Sequence, residues 1–229
     1  MLFVQGRQAS LGIIPVLPVV ETVLMPILNG MERQEYRYPF YASLHLKPFF
    51  MATKNQVLDM SAVGMIFTVI RSAADTNGQS LELHWQLLPG CNMKDPLVHV
   101  HPQAVETYEV LEGEMEFYIK DQWIKAVAGD KLAVPKGVTH GFRNPSDQIV
   151  TVFNTHQPAL RMEHYFEEVC TVLNKLTHHG SRPFKMNLTT KLYMSVLMNR
   201  YRHEIIAKSP PDIAIKLLGG ISKLLGIRY

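Results

Sequence analysis

From Met65 to Asn154 the chain alternates apolar and polar residues with a period of two, in short runs separated by turn residues. GMIFTVIRS is the first run, near Gly64. The ADTNGQS that follows holds an Asn-Gly pair, a strong hairpin signal. SLELHWQLLPG then sets Leu81, Leu83, Trp85 and Leu87 against Glu82, His84 and Gln86. Period alone does not say which of these faces is inside, so His84 reads either as a fifth polar pocket group or as a surface or interface histidine. EMEFYIK alternates Met115, Phe117 and Ile119 against Glu114, Glu116 and Tyr118. QWIKAVAG and DKLAVP are further short strands. VTHGFRN puts His140 and Phe142 on one face, and IVTVFNTH reads as a last, largely buried strand. Many short strands at regular spacing predict a β-sandwich or barrel.

After residue 160 the period changes to 3.6. Met162, Tyr165, Phe166, Val169, Leu173 and Leu176 form one helical stripe, opposite Glu163, Glu167, Asn174 and Lys175. His178 and His179, in the loop that ends this helix, read as solvated. A second helix is expected from about Leu188 to Ala207, ended by SPP. A third follows Asp212, an N-cap-like residue, with Leu217, Leu218, Ile221, Leu224 and Leu225 as its stripe. Such a stripe packs on its own domain or on a dimer partner. With Lys216 and Lys223 beside it, it can also rest on a membrane surface.

The first 60 residues follow neither period. The run from Leu11 to Leu28 is apolar, but Pro15, Pro18 and Pro26 break a helix and Glu21 interrupts it. This argues for an extended apolar arm over a signal peptide or membrane span. A wrapping segment rich in Tyr and Phe follows. The chain thus divides into an N-terminal arm and wrapping segment (1–60), a barrel (61–160) and a C-terminal helical extension (161–229).

Composition narrows the function classes. A net charge of +3 with no basic run gives nucleic acid no footprint. Cys91 and Cys170 make no disulfide framework and suggest a reducing compartment, the cytoplasm. A homodimer is expected, because the arm and the helices carry more apolar surface than one small barrel covers.

The candidate chemistry lies between His99 and Asn144. HVHPQAVETYEVLEG places His99 and His101 two apart, so that on a strand both imidazoles point to one place. Glu106 shares a face with Tyr108 and Val110, and His140 on a later strand can close the set. Three imidazoles and a carboxylate suit one divalent transition ion, Fe, Mn, Ni, Cu or Zn, better than Mg or Ca. Tyr108 and Phe142 share parity with ligands, and Met115 and Phe117 lie on an apolar alternating face. The four are expected to line a pocket beside the ion.

These two stretches resemble the motifs of the cupin superfamily. The first motif is His99, His101, Glu106 and Gly113. The second, GDKLAVPKGVTHGFRN, supplies Gly129, Pro135, Gly137, His140 and Asn144. The resemblance covers roughly residues 60 to 160 and implies an antiparallel double-sheet jelly-roll barrel. It puts His99, His101, Glu106 and His140 on the family's metal-ligand positions. One departure is visible: CNMKDPLV separates Gly90 from His99, where the family's opening glycine lies closer. The resemblance further implies a metal-dependent enzyme on a small molecule, such as a dioxygenase on an apolar or aromatic substrate or an isomerase, with Glu106 as a candidate base. The alternatives are a non-catalytic small-molecule-binding cupin, or a membrane-peripheral or interaction protein working through its helical tail.

Overall fold

The computed structural model describes residues 52–94 and 96–227, together with the backbone of Val4–Gln5. The apolar arm expected over residues 11–28, and the aromatic wrapping segment as far as Phe50, lie outside the described residues. Twelve strands are described: β1 (Val4–Gln5), β2 (Val57–Met60), β3 (Met65–Arg71), β4 (Leu81–Leu87), β5 (Val98–Val100), β6 (Val105–Glu112), β7 (Glu114–Ile119), β8 (Gln122–Val127), β9 (Lys131–Val134), β10 (His140–Arg143), β11 (Val150–Gln157) and β12 (Ile206–Ser209). They form two antiparallel sheets. One has the order β1-β9-β6-β11-β4-β3-β2 and the other β12-β5-β10-β7-β8. This is the jelly roll that the alternating pattern and the motifs predict.

The alternation sorts the faces as expected. Leu81, Leu83, Trp85 and Leu87 are buried, as are Met115, Phe117 and Ile119. The two sheets meet through aromatic side chains. Trp85 of the larger sheet packs on Phe142 of the smaller, with ring centres 5.2 Å apart, and Tyr108 packs on Phe117 at 4.8 Å. His84 faces away from this core and is half-buried, so it is no pocket group; it shares its face with Glu82 and the exposed Gln86.

Three helices follow the barrel strands: α1 (Met162–Thr177), α2 (Leu188–Arg200) and α3 (Asp212–Leu224). Each departs from the sequence expectation in one respect. Glu163 of α1 is buried, because its carboxylate accepts the Ala73 backbone N–H at 2.8 Å. The second helix stops at Arg200 instead of running to Ala207. The chain beyond it becomes β12, which pairs with the otherwise open edge of β5. In α3, Asp212 is the first helical residue and not the cap; its carboxylate pairs with Arg202 and Lys216.

The aliphatic stripe of α3 does not pack on the barrel. Leu217, Ile221, Leu224 and Leu225 are exposed, and the helix instead buries Ile215, Gly219 and Ser222. Ser222 Oγ donates to the Leu192 carbonyl of α2 at 3.0 Å, and Asn199 Nδ2 donates to the Ile215 carbonyl at 3.0 Å. A Cβ at Gly219 would collide with Asn199 Nδ2. The small, hydrogen-bonding face thus allows an approach that the leucine face does not.

Candidate metal centre

The site is assembled by register. His99 on β5 lies opposite His140 on β10. Glu106 on β6 lies opposite His156 on β11. Gly137, at φ 77°, gives its N–H to the His101 carbonyl at 2.8 Å and so ties the turn of the second motif to the first. One ligating atom each from His99, His101, Glu106 and His140 falls within 4.8 Å of the others, and all four side chains are buried.

The hydrogen bonds fix which atoms face the centre. His99 Nδ1 lies 3.0 Å from the Leu97 carbonyl, His101 Nδ1 2.7 Å from the Glu204 carbonyl, and His140 Nδ1 2.9 Å from the Val138 carbonyl. A carbonyl only accepts, so each Nδ1 donates to one and each ring turns its Nε2 inward. Glu106 Oε2 lies 3.0 Å from His101 Nε2 and 2.8 Å from His140 Nε2. Three inward imidazole nitrogens and a carboxylate brought together in this way could hold a cation among them. Ligand atoms about 2.1 Å from one ion stand roughly 3 Å apart, which is the spacing of Glu106 Oε2 from His101 Nε2 and His140 Nε2, within a set that spans up to 4.8 Å.

Charge divides the set: burial would lower the His101 imidazole, but the Glu106 carboxylate outweighs it and holds His101 above the usual histidine range. Burial, with His140 and His101 close by, holds His99 well below the usual histidine range. Burial would raise the Glu106 carboxyl, but His156, His101 and the bond from His140 outweigh it and hold it well below the usual carboxylate range. A neutral imidazole and an ionised carboxylate are the forms that ligate metal.

Two polar residues beside the set were not anticipated from the sequence. Asn154 Nδ2 donates to Glu106 Oε1 at 2.9 Å, and His156 Nε2 lies 3.2 Å from the same oxygen. They hold one carboxylate oxygen and leave Oε2 to the imidazoles. Their signal is two polar side chains, two apart, in a strand otherwise read as buried, and buried polar groups are the informative ones. Tyr108, Met115, Phe117 and Phe142 are all buried on the inner faces. Burial and the Glu106 carboxylate push the Tyr108 hydroxyl well above the usual tyrosine range. The long loop before His99 is pinned by Cys91, which is buried and whose carbonyl accepts the Asn144 N–H at 3.0 Å.

A family model described as Cupin domain matches residues 83–156. No curated protein matches the chain. Solved structures do. An uncharacterized conserved protein with a double-stranded β-helix domain from Klebsiella pneumoniae is 24% identical over 42% of this chain and 78% of its own, with a TM-score of 0.36. A sugar phosphate isomerase of the cupin superfamily from Silicibacter pomeroyi is 25% identical over 42% of this chain and 62% of its own, with a TM-score of 0.37. A predicted oxalate decarboxylase from Thermotoga maritima is 20% identical over 41% of this chain and 80% of its own, with a TM-score of 0.38. The matched segment contains both motifs, six whole strands (β5 to β10) and most of β4 and β11, and residues 83–156 therefore belong to a single-barrel domain of the cupin superfamily.

Proposed function

We propose that the barrel is a metal-dependent enzyme acting on a small molecule, a dioxygenase-like oxidoreductase on an apolar or aromatic substrate. The observation that carries the reading is the convergence of three buried imidazoles and one carboxylate on a single point. His99, His101, Glu106 and His140 would hold one divalent transition ion, Fe, Mn, Ni, Cu or Zn. When bound, such an ion supplies Lewis-acid or redox chemistry at its open positions.

The chain's own residues supply the rest. Asn154 holds Glu106 Oε1, so Oε2 would ligate the ion and, only once released from it, take up a proton as a base. Tyr108 and Phe142 share parity with Glu106 and His140, and with Met115 and Phe117 they would line the space beside the ion and favour a flat apolar ligand. Two observations support the remaining parts of the reading. The exposed stripe of α3 favours a homodimer, and also offers a weaker peripheral membrane contact. Among the described residues no helix is long and apolar enough to cross a membrane. Cys91 and Cys170 are free thiols, each pushed up to about 12 by burial, which suits a reducing cytoplasm.

The test is dioxygen consumption by iron-loaded protein over a panel of small aromatic and aliphatic substrates. Uptake that His140→Ala abolishes supports the reading. Tight ligand binding without uptake or product would replace it with a non-catalytic binding role.

A further inference from the structure

We propose that the C-terminal segment from Tyr201 to Ser209 is a working part of the metal centre: its docked strand fixes the His101 imidazole and thereby sets the affinity for the ion. This inference rests on the metal reading above. Two of the three ligand histidines are oriented locally, since His99 and His140 each bond a carbonyl two residues back, just before their own strands. His101 has no such local support. Its Nδ1 proton goes to the carbonyl of Glu204, 103 residues further along the chain and outside the matched family segment, at 2.7 Å.

The carbonyl is held in place on all sides. β12 continues β5 outward, with Ile206 opposite Val100 and Ala207 opposite His99, so the tail pairs with the strand that carries one ligand and leads into the next. Tyr201, Glu204, Ile205 and Ala207 are buried, and Ile205 is only 2% exposed. Glu204 N–H donates to the Tyr201 carbonyl at 3.0 Å, which closes a turn that aims the Glu204 carbonyl at the barrel. Arg202 and Asp212 bracket β12 in a two-pronged ion pair, which closes the segment into a loop clamped against α3.

The inference follows from what an imidazole needs in order to ligate. Without an acceptor for Nδ1–H, the His101 ring is free to rotate and to place its proton on Nε2, and it then presents no lone pair to the ion. Loss of an outer partner of a ligating histidine costs roughly 10- to 100-fold in metal affinity. Linkage makes the effect reciprocal, so an ion that needs the docked tail also tightens it.

Zn²⁺, a redox-inert probe, tests this on the full chain by competition with a chromophoric chelator and by hydrogen exchange. Ile205→Asp buries a charge next to Glu204 and should release the segment. It is expected to bind Zn²⁺ about 10- to 100-fold more weakly, while Ile205→Val matches the wild type. In wild-type protein, Zn²⁺ should slow amide exchange across residues 202–209, a measurement that stands even if the Asp variant fails to fold. An Ile205→Asp protein that is folded, exchanges rapidly at 202–209 and still binds Zn²⁺ like the wild type would overturn the inference. So would unchanged exchange at 202–209 in zinc-loaded wild type. Failure of the wild type to bind Zn²⁺, Fe²⁺, Mn²⁺ or Ni²⁺ at all is a different result, which ends the metal reading itself.

Discussion

Asn144 closes the second motif, yet it reaches no ligand. Its Nδ2 donates to the carbonyls of Leu87, Leu88 and Gln148 at 2.9, 3.2 and 2.8 Å, and its Oδ1 accepts from the Ser146 N–H and hydroxyl. It joins the start of β11 to the loop after β4. Asn144→Ala leaves several buried polar groups unpaired at about 1–3 kcal/mol each. It should lower stability by roughly 3 kcal/mol in denaturant unfolding without changing the metal content of the protein that remains folded. Phe142 makes the complementary case. Its removal to Ala opens a cavity beside Trp85 and costs about 3–5 kcal/mol. If it lines the pocket as proposed, the variant should change ligand preference more than metal content. Lost metal with unchanged preference would make it a structural support only.

At the scale of the elements, α3 carries two sharp expectations. Gly219→Ala should loosen the α2–α3 contact, since the added methyl meets the Asn199 amide. Faster amide exchange in α3 with an unchanged barrel would register it. The Arg202 hydrogen bond pulls the Asp212 carboxyl from its ordinary 3.8 down to about 2. A depressed carboxyl stabilises the fold above its unfolded pKa, and that contribution is lost as pH falls through the folded value. The stability difference between wild type and Asp212→Asn should therefore be fully present above about pH 4 and gone near pH 2. A difference that does not change with pH would detach the ion pair from the docking of β12.

The elements also mark where the sequence was legible. Strands with one buried face declare themselves by alternation, which predicts the strands and the inner position of Tyr108; the double sheet and the meeting of His99, His101, Glu106 and His140 are what the cupin resemblance implies. β12 was not legible, because what makes it a strand is the open edge of β5, about a hundred residues away, and not a pattern within IIAKS. The packing of α3 was hidden for the opposite reason. Its leucines form the obvious stripe, but Gly219 and Ser222 allow closer approach and backbone hydrogen bonds, and that contact prevailed. Asn154 and His156 do not stand out in a strand that reads only as largely buried.

For the whole molecule, the exposed face of α3 bears on assembly. Ile213, Leu217, Ile221, Leu224 and Leu225 are 47 to 89% exposed on one helix, more apolar surface than a lone helix usually leaves in water. If they form the proposed homodimer, light scattering should find twice the chain mass, and Leu217→Glu with Leu224→Glu should return it to the monomer. A wild-type monomer at micromolar concentration would remove the dimer.

The account as a whole rests on the ion. The most direct measurement is the metal content of purified chain after incubation with Fe²⁺, Mn²⁺, Ni²⁺ and Zn²⁺, for the wild type and for His140→Ala, at neutral and acid pH. One ion per wild-type chain is expected, with release on acidification as the imidazoles take up protons, and with far less metal in a His140→Ala protein that is still folded. A wild-type chain that stays metal-free, or a His140→Ala chain that holds metal as tightly, would contradict it.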